Sequence, residues 1–292
     1  MNATPHTAGA RFRAALQDSP LLIPGVFNAY VARMAQKNGF RAAYQSGAAL
    51  SAELASVPDI GLVTATEFAE QGRYLAEAVD IPVISDADTG FGEALAVERT
   101  VQLYESAGLA GLHLEDQQMP KRCGHLSGKT LVSTREMVGK VKAAVAARQD
   151  PGFVIIARTD ARAAEGMDAA IERAEAYVAA GADMIFPEAM ESPEEFGRFA
   201  EAIDVPLLAN MTEFGKSPLL TARELGELGY AAILFPVTMF RIANHAVENA
   251  LRQLADTGTQ NGLLDEMQTR AELYNYLGYE GYDQRDREYF GE

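Results

Sequence analysis

The sequence contains very little cysteine, with Cys123 as its single example in 292 residues. One cysteine cannot form an intramolecular disulfide, so the fold needs no oxidising compartment. The sequence also lacks an apolar run of about 18 residues, the length that a transmembrane helix requires. Positions 1–15 lack the pattern of a secretory signal, because Arg11 and Arg13 stand where its apolar stretch would be. We therefore expect a cytoplasmic protein.

Basic residues are scarce relative to acidic ones. Lys and Arg number 25 against 41 Asp and Glu, which gives a formal net charge of −16. This excess repels polyanions, so we expect neither nucleic acid nor an anionic membrane surface as a partner. It does not exclude an anionic substrate, because a local site can oppose the overall field. Hydrophobic residues make up 48% of the chain, which excludes wholesale disorder.

Short apolar runs alternate with amphipathic stretches along the chain. Because the two periods indicate strands and helices, this alternation predicts repeated strand–helix units. Four amphipathic stretches begin with Ser or Thr followed three residues later by Glu, which is the pattern of a helix capping box. The eight predicted strands cover residues 21–26, 42–45, 82–85, 111–114, 153–157, 184–186, 206–209 and 231–235.

Eight strand–helix units predict an α/β fold of the (β/α)8 TIM-barrel type. A doubly wound open sheet is the alternative, because periodicity does not show whether a sheet closes. The first predicted strand is not followed by a glycine-rich dinucleotide fingerprint, which weakens that alternative. We expect residues 1–292 to form one barrel domain. Residues 240–292 would be its C-terminal helical extension, with helices at 240–254 and 263–277 and a peripheral or poorly ordered tail from 278 onward.

Carboxylates stand at the ends of two neighbouring predicted strands. Asp86 and Asp88 follow the third strand and Glu115 ends the fourth, where barrels of this type carry their chemistry. Asp86 and Asp88 are two positions apart and face the same way on an extended strand, so a bound cation would relieve their repulsion. Oxygen ligands without His or Cys favour Mg²⁺ or Mn²⁺ over zinc. The alternative is that the Asp-x-Asp sequence only begins a loop.

Arg158 ends the fifth predicted strand, directly after an apolar run. Burying a guanidinium there is costly without an anionic partner. One interpretation is a salt bridge to Asp160 or Glu188 that holds the barrel rim, and the other is binding of an anionic substrate. Both can hold in turn. His113, inside the fourth strand, is interpreted as a core histidine.

A long segment of residues 117–131, here called the cysteine loop, follows the fourth predicted strand. A loop of this length in a compact barrel is often a functional lid. Lys121, Arg122 and His125 flank Cys123, and such positive neighbours are expected to lower the pKa of its thiol and make it available for proton transfer. The alternative is that Cys123 is a small buried hydrophobe. Lys129 at the far end of the loop is interpreted as tying the loop down.

These residues together resemble the isocitrate lyase and phosphoenolpyruvate mutase superfamily over residues 12–282. The most specific match is Lys121-Arg-Cys123-Gly124-His125, because this loop marks the lyase branch and is absent from the mutases and hydrolases. The other matches are Ser46-Gly47, Pro58-Asp59-Ile-Gly61, Asp86-Ala-Asp88, His113-Leu-Glu115-Asp116, Ala157-Arg158-Thr-Asp160, Phe186-Pro-Glu188, Asn210-Met-Thr212-Glu213-Phe214, Arg241 and Met267-Gln-Thr-Arg270.

The resemblance implies a carbon–carbon lyase that uses Mg²⁺, or alternatively Mn²⁺. The Asn210-Met-Thr-Glu segment differs from the Asn-x-Ser-Pro of isocitrate lyases, and the chain lacks their large insertions. Both features favour cleavage of 2-methylisocitrate to pyruvate and succinate, in the methylcitrate cycle of propionate catabolism. The resemblance further implies a last barrel helix that swaps between subunits, and a homotetramer built as a dimer of dimers.

Other functions remain open from the sequence. The alternatives are a related lyase that acts on isocitrate or 2,3-dimethylmalate, an oxaloacetate decarboxylase in which Cys123 would have no obvious task, and a barrel that only binds a dicarboxylate or a protein. One methyl group contributes only about 1–3 kcal/mol to discrimination between substrates. The sequence therefore does not fix the substrate.

Roles for individual residues also follow from the resemblance. Asp86 and Asp88 would hold the metal, with Asp59 and Glu115 acting through water. Cys123 would protonate the succinate carbanion, and Arg158 would stabilise charge on the 2-oxygen. Tyr44 is the candidate for the initial base, with simple barrel packing as its alternative.

Substrate contacts are expected from a larger set. Ala48 would lie near the methyl group, and Ser46 with the Gly47 backbone would contact the carboxylate of the pyruvate half. Arg241 and Arg270 lie in predicted helices, where a solvated charge is the ordinary interpretation. The full expected set is Ser46, Gly47, Ala48, Cys123, Gly124, His125, Arg158, Glu188, Asn210, Thr212, Arg241 and Arg270.

Overall fold

The structure is a computed structural model that describes residues 7–18, 20–125 and 128–291. Residues 1–6, which belong to the N-terminal segment where no secretory signal is expected, lie outside the described residues. Positions 126 and 127 of the cysteine loop lie outside them as well.

The described residues form eight strands that all pair in parallel. The second to sixth strands pair in sequence order, and the seventh pairs with the eighth, which pairs with the first. Bridges between Gly25 and Tyr44 and between Ile185 and Leu207 join the two groups, so the sheet closes and the barrel prediction is confirmed. The strands are β1 (Leu21–Pro24), β2 (Ala43–Gln45), β3 (Val83–Asp86), β4 (Gly111–Glu115), β5 (Val154–Thr159), β6 (Met184–Pro187), β7 (Leu208–Asn210) and β8 (Ala232–Phe235).

Helices surround the barrel, and their starts follow the capping pattern. The side chains of Thr64, Ser133, Ser192 and Thr221 each accept a hydrogen bond from the backbone N–H three residues later. The helices are α1 (Ala8–Ala15), α2 (Ala29–Lys37), α3 (Gly47–Ala55), α4 (Ala65–Ala78), α5 (Ala94–Ser106), α6 (Thr134–Ala147), α7 (Ala161–Glu165), α8 (Met167–Ala179), α9 (Pro193–Ala202), α10 (Ala222–Glu227), α11 (Thr238–Thr257), α12 (Arg270–Leu277) and α13 (Tyr279–Phe290). No described helix has the length and apolar character needed to cross a bilayer.

The alternation of side chains along each strand decides which residues reach the barrel interior. On β5, Val154 and Ile156 belong to the buried cluster inside the barrel, while Ile155 and Ala157 belong to the layer between barrel and helices. Because side chains alternate with a period of two, Arg158 follows Val154 and Ile156 on the inner face. The same count places Asp86, Glu115 and the other strand-end polar groups at the top of the interior.

The C-terminal extension is helical throughout most of its length. α12 packs on α2, where the Tyr30 hydroxyl donates to Gln268 Oε1 at 2.7 Å and the Tyr30 and Tyr276 rings meet edge to face. The tail expected to be peripheral or poorly ordered forms α13, which has no buried residue. It is peripheral but helical, because ion pairs such as Asp283–Arg287 support it along its own surface.

Candidate active site

A pocket opens at the carboxyl ends of the barrel strands and collects most of the predicted residues. Its walls also include Lys121, Arg122 and apolar side chains that the sequence interpretation did not assign, with Phe186 and Leu234 among them. The predicted residues in its lining are Tyr44, Ser46, Ala48, Asp59, Asp86, Cys123, Gly124, His125, Arg158, Glu188, Asn210, Thr212 and Arg241.

The acidic residues of β3 and β4 meet at one side of this pocket. The backbone N–H of Asp88 donates to Asp86 Oδ1 at 2.8 Å, and the Asp88 carbonyl accepts from the Glu115 N–H at 2.9 Å. Asp88 has a φ of +46°, in the left-handed region that Asp tolerates better than most residues. Asp86 lines this pocket, whereas Asp88, Glu115 and Gly47, which were also predicted for the site, are absent from its lining. Asp88 lines a second cavity together with Thr89 and Phe91.

Lys121 of the cysteine loop joins these carboxylates, which the sequence interpretation missed. Its Nζ forms ion pairs with Asp59 and, at 2.6 Å, with Asp88. Burial lowers the pKa of Lys121, but Glu115 and Asp88 outweigh that effect and raise it well above its usual value. Lys121 therefore stays charged. The sequence shows a lysine two positions before Cys123, but no neighbouring residue indicates that this lysine contacts the carboxylates that follow β3.

Charge in this cluster remains poorly compensated without a further cation. Burial, together with Asp86 and Asp59, raises the pKa of Asp88 to about 7 although Lys121 opposes the shift. Burial also raises the pKa of Glu115 well above its usual value. Among the residues that the structure describes, neither carboxylate oxygen of Glu115 has a hydrogen-bond donor. Arg158 Nη1 comes only to 3.4 Å.

The donor set fits Mg²⁺. All of the candidate ligands are carboxylate oxygens, and within residues 7–18, 20–125 and 128–291 no group of three or more Asp, Glu, His or Cys side chains is arranged to hold a metal ion by itself. Mg²⁺ keeps several waters and is commonly held by one or two carboxylates, whereas structural zinc sites use four protein ligands. Asp86 and Asp88 as direct ligands, with Asp59 and Glu115 reached through water, agree with that preference.

Arg158 lies beside the cluster and is held by acids on its other side. Asp160 accepts from Arg158 Nε at 3.0 Å and from Nη2 at 3.1 Å, and Glu188 lies 3.9 Å from Nε. Burial lowers the pKa of Arg158, but Asp160 and Glu188 outweigh it and raise the pKa well above its usual value. The salt bridge expected as one of the two interpretations is therefore present. The guanidinium still lines the pocket, so anion binding remains compatible with it.

The expectation of a lowered pKa for Cys123 was wrong. Cys123 is exposed at the mouth of the pocket, yet desolvation by its surroundings raises the pKa of the thiol, and Glu188 adds to this. The backbone at His125 and the Arg158 guanidinium lower it by less. The flanking Lys121 does not help, because its charge is taken up by Asp59 and Asp88. The thiol therefore stays protonated at neutral pH, as a proton donor must be.

Tyr44 is poorly suited to act as a base. Its hydroxyl lies 2.8 Å from His113 Nε2 and 3.5 Å from Asp86 Oδ2, and its ring stacks on the His113 ring. Burial and the Asp86 charge raise the pKa of Tyr44 well above its usual value. Burial lowers the pKa of His113, which therefore stays neutral. Both side chains are held inside the barrel, so packing is the better supported of the two interpretations of Tyr44.

The N-terminus of α3 forms another wall of the pocket. Ser46 is the helix cap, and its Oγ accepts from the Ala49 N–H at 3.4 Å. A Cβ at Gly47 would stand 2.5 Å from Asp86 Oδ2, so only glycine lets the helix approach the carboxylate this closely. Unpaired backbone N–H groups at the start of a helix attract anions. Gly47 and Ala48 therefore offer donors beside the candidate metal ligands.

The cysteine loop closes the opposite wall through His125. His125 Nδ1 accepts from the Lys216 N–H at 2.9 Å, so the ring proton is on Nε2, which faces Glu188 Oε1 at 2.8 Å. Asn210 Nδ2 lies 3.3 Å from both oxygens of Glu188. Burial raises the pKa of Glu188, but Arg158 and His125 outweigh it and hold the pKa below its usual value.

Two predicted arginines have different positions. Arg241 on α11 lines the pocket and lies 3.6 Å from Glu213. Arg270 is the first residue of α12, is exposed and does not line the pocket of its own chain. The physical reason is that α12 packs on α2, on the outside of the barrel.

Comparison with known proteins gives matches along most of the chain. A family model described as phosphoenolpyruvate phosphomutase matches residues 12–255. The chain is 53% identical over 268 residues to a 2-methylisocitrate lyase of Aeropyrum pernix, with 92% of this chain and 86% of that protein covered.

Solved structures of related enzymes match the fold over nearly the whole chain. A crystal structure of 2,3-dimethylmalate lyase, a member of the PEP mutase/isocitrate lyase superfamily, matches with a TM-score of 0.91 at 36% identity, over 97% of this chain and 95% of that one. Phosphonopyruvate hydrolase in complex with oxalate and Mg²⁺ matches with a TM-score of 0.86 at 32% identity, over 97% and 98%.

Proposed function

The chain belongs to the phosphoenolpyruvate mutase and isocitrate lyase family, and we propose that it cleaves 2-methylisocitrate to pyruvate and succinate with Mg²⁺. It is a lyase of this superfamily. The substrate proposal is supported by relatives named 2-methylisocitrate lyase that are 46–54% identical to this chain. The observation that carries the lyase chemistry is the position of Cys123, whose thiol lines the same pocket as Arg158 and Asp86.

Asp86 and Asp88 would hold Mg²⁺, with Asp59 and Glu115 contacting its waters. When bound, Mg²⁺ makes the 2-hydroxyl of the substrate more acidic and stabilises the developing pyruvate. The proposal is supported by the oxygen-only donor set and by Glu115, whose buried carboxylate has no hydrogen-bond donor among the described residues. The similar phosphonopyruvate hydrolase structure contains Mg²⁺ with oxalate.

Cys123 supplies the proton that the cleavage consumes. The 2-hydroxyl loses a proton, the C2–C3 bond breaks, and its electron pair passes to C3 of the succinate half, next to a carboxylate. The thiol of Cys123 then protonates C3, and the proton released from the hydroxyl balances the one used. General acid catalysis of this kind contributes about 10²–10⁴-fold in rate.

Fixed charges in the pocket hold the substrate during this reaction. Arg158 is held by Asp160 and lines the pocket, and as a preorganised cation it would stabilise the charge that develops on the 2-oxygen. The backbone donors at Gly47 and Ala48 would bind the carboxylate of the pyruvate half. Asn210, Thr212 and Arg241 would bind the other carboxylates. Glu188 orients His125 and Asn210. Its negative charge would repel the substrate carboxylates, so we assign it no direct substrate contact.

The test is product analysis. The protein is incubated with Mg²⁺ and, separately, with 2-methylisocitrate, isocitrate and 2,3-dimethylmalate, and keto-acid products are quantified by mass spectrometry. Pyruvate and succinate in equal amounts from 2-methylisocitrate, abolished by EDTA and restored by Mg²⁺, is the expected result. Glyoxylate from isocitrate, or pyruvate from 2,3-dimethylmalate, with 2-methylisocitrate untouched, would refute the substrate. Turnover that survives EDTA would refute the metal.

We also propose that the chain assembles as a tetramer, with α11 packed on a neighbouring subunit. α11 contains no buried residue in the single chain. Its Ile242, Val247 and Leu251 are each more than half exposed, which is unusual for large apolar side chains along one helix. Arg241 comes from this helix and lines the pocket, so assembly would also fix one wall of the site.

A further inference from the structure

Lys129 joins two parts of the pocket that are far apart in sequence. Its Nζ donates to the backbone carbonyl of Gly124 within the cysteine loop, and forms an ion pair with Asp160 Oδ1 at 2.8 Å, just after β5. The Lys129 side chain is 2% exposed and the Asp160 side chain is fully buried. Burial of an ammonium group is costly unless it is paired and hydrogen-bonded. Asp160 and the Gly124 carbonyl therefore compensate the buried charge of Lys129.

Asp160 is the same carboxylate that orients Arg158. Its Oδ1 accepts from both Lys129 Nζ and Arg158 Nη2, and its Oδ2 accepts from Arg158 Nε. The backbone N–H of Asp160 is in turn held by Asp116 Oδ1 at 2.9 Å. The Asp160 carboxylate is therefore fixed in place. Because it binds both Lys129 and Arg158, it holds these two side chains at a fixed distance from each other.

Gly124 shows how closely the loop sits on this arginine. A Cβ added at Gly124 would stand 2.5 Å from Arg158 Nη2 and 2.4 Å from Glu188 Cγ. The loop backbone is thus in contact with the pocket wall at the residue directly after Cys123. A displacement of Gly124 would carry the thiol away from the pocket.

We propose that Lys129 is a positioning residue that ties Cys123 to Arg158, by holding the Gly124 carbonyl and the Asp160 carboxylate with one ammonium. Lys129 thereby fixes the distance between the Cys123 thiol and the Arg158 guanidinium, although the two residues lie on different segments of the chain. Its catalytic consequence rests on the proposed lyase function. Its structural consequence does not, because the environment of the thiol can be read without any substrate.

The first arm of the test uses alkylation of Cys123 by iodoacetamide across pH. Cys123 is the only cysteine, so the reaction reports on this thiol alone, and it is followed by intact mass. We expect the Lys129→Met variant to lose the contacts with the Gly124 carbonyl and Asp160, so that the cysteine loop moves away from the pocket wall and from Glu188. We expect the midpoint of the alkylation profile to fall toward the ordinary thiol value, and the rate at pH 8 to rise at least threefold. The matched control is Lys142→Met, which removes an exposed lysine of α6 and should leave the profile unchanged.

The second arm measures steady-state turnover. We expect Lys129→Met to lower kcat about 10- to 100-fold with KM within threefold, because Asn210, Thr212 and Arg241, which would bind the substrate carboxylates, are not among the partners of Lys129. An alkylation rate within twofold of the wild type, or an unchanged kcat, would overturn the proposal. Circular dichroism checks the fold, and Lys129→Gln, which keeps an N–H donor group but not the charge, replaces the Met variant if that variant does not fold. If the protein does not cleave 2-methylisocitrate, the alkylation arm still decides the positioning role.

Discussion

Single side chains in this pocket take their protonation states from burial more than from their neighbours in sequence. Cys123 follows a lysine and an arginine, yet desolvation raises the pKa of its thiol. Tyr44 shares a wall with Asp86, and burial raises the pKa of its hydroxyl well above the usual value. Both groups therefore hold their protons at neutral pH. That state suits a proton donor and not a base.

Cys123→Ser tests the donor. The hydroxyl is close in size but a much weaker acid, so we expect kcat to fall about 10²–10³-fold. Binding of pyruvate and succinate with Mg²⁺, measured by calorimetry, should stay within a few-fold of the wild type because the thiol is not a ligand. Retention of full turnover would contradict the assignment.

The pH profile gives a second test of the thiol. Because the acid form is required, activity is present below the thiol pKa and is lost as pH rises through it. The raised pKa of Cys123 places this loss above about pH 8.5, the usual thiol value. This loss of activity at high pH should be absent from the pH profile of the Cys123→Ser variant. A wild-type limb below pH 8 would show that the thiol is not held protonated.

Tyr44→Phe separates packing from base catalysis. If Tyr44 only packs against His113, removal of its hydroxyl should lower kcat less than about tenfold. Loss of the initial base would cost about 10²–10⁴-fold. Steady-state kinetics at saturating Mg²⁺ distinguishes the two, and a loss in the larger range would restore Tyr44 as the base.

At the scale of elements, the barrel strands and one helix deliver the site. The inner faces of β3, β4 and β5 end in polar groups, so Asp86, Glu115 and Arg158 come together. α3 adds its N-terminus, and Gly47 lets that end reach Asp86. The cysteine loop then covers this space and adds Lys121, His125 and Cys123. The chemistry therefore depends on how closely these elements approach.

Gly47→Ala should disturb that approach. The added methyl would stand 2.5 Å from Asp86 Oδ2, so the carboxylate or the helix must shift. We expect the Mg²⁺ concentration for half-maximal activity to rise about 10- to 100-fold, the usual cost of a disturbed outer-shell contact. Gly139→Ala on α6, whose Cβ meets no atom within 4 Å, is the control and should leave Mg²⁺ activation unchanged. Equal Mg²⁺ requirements in both variants would show that α3 does not position Asp86.

The whole molecule has a closed barrel and a C-terminal helix whose apolar residues are not covered by the same chain. Leu21, Ile156 and Phe186 fill the barrel interior, whereas Ile242 and Leu251 on α11 are 62% and 61% exposed. Full burial of one such side chain contributes about 1.5–3 kcal/mol. Several of them on one helix therefore favour association with another copy.

Ile242→Asp tests this surface. A carboxylate there would have to be desolvated on assembly, so we expect a smaller species than the tetramer by light scattering, and lower activity because Arg241 on the same helix lines the pocket. Glu248→Gln, an exposed change on the same helix, should leave the assembly intact. A wild-type mass for Ile242→Asp would contradict packing of α11 on another subunit.

Much of the pocket could be predicted from the sequence, because its residues stand at recognisable places. Asp86, Glu115 and Arg158 each end an apolar strand, and Cys123 lies in a loop with a family-specific pattern. The pairs that Lys121 forms with Asp88 and Lys129 forms with Asp160 could not be assigned in the same way. The two members of each pair lie on different segments, and the separation in sequence carries no signal of the approach. Arg270 illustrates the reverse case, because a motif match does not say which surface a helix packs on.

The sequence by itself determined the alternation of strands and helices and the residue types available for metal binding and proton transfer. These depend on local periodicity and on side-chain chemistry, which the chain order carries. Only the tertiary structure decided the protonation of Cys123 and Tyr44, the pairing of Lys121 with Asp88, and the link from Lys129 through Asp160 to Arg158. Each of these depends on desolvation and on distances between segments that meet only when the barrel closes.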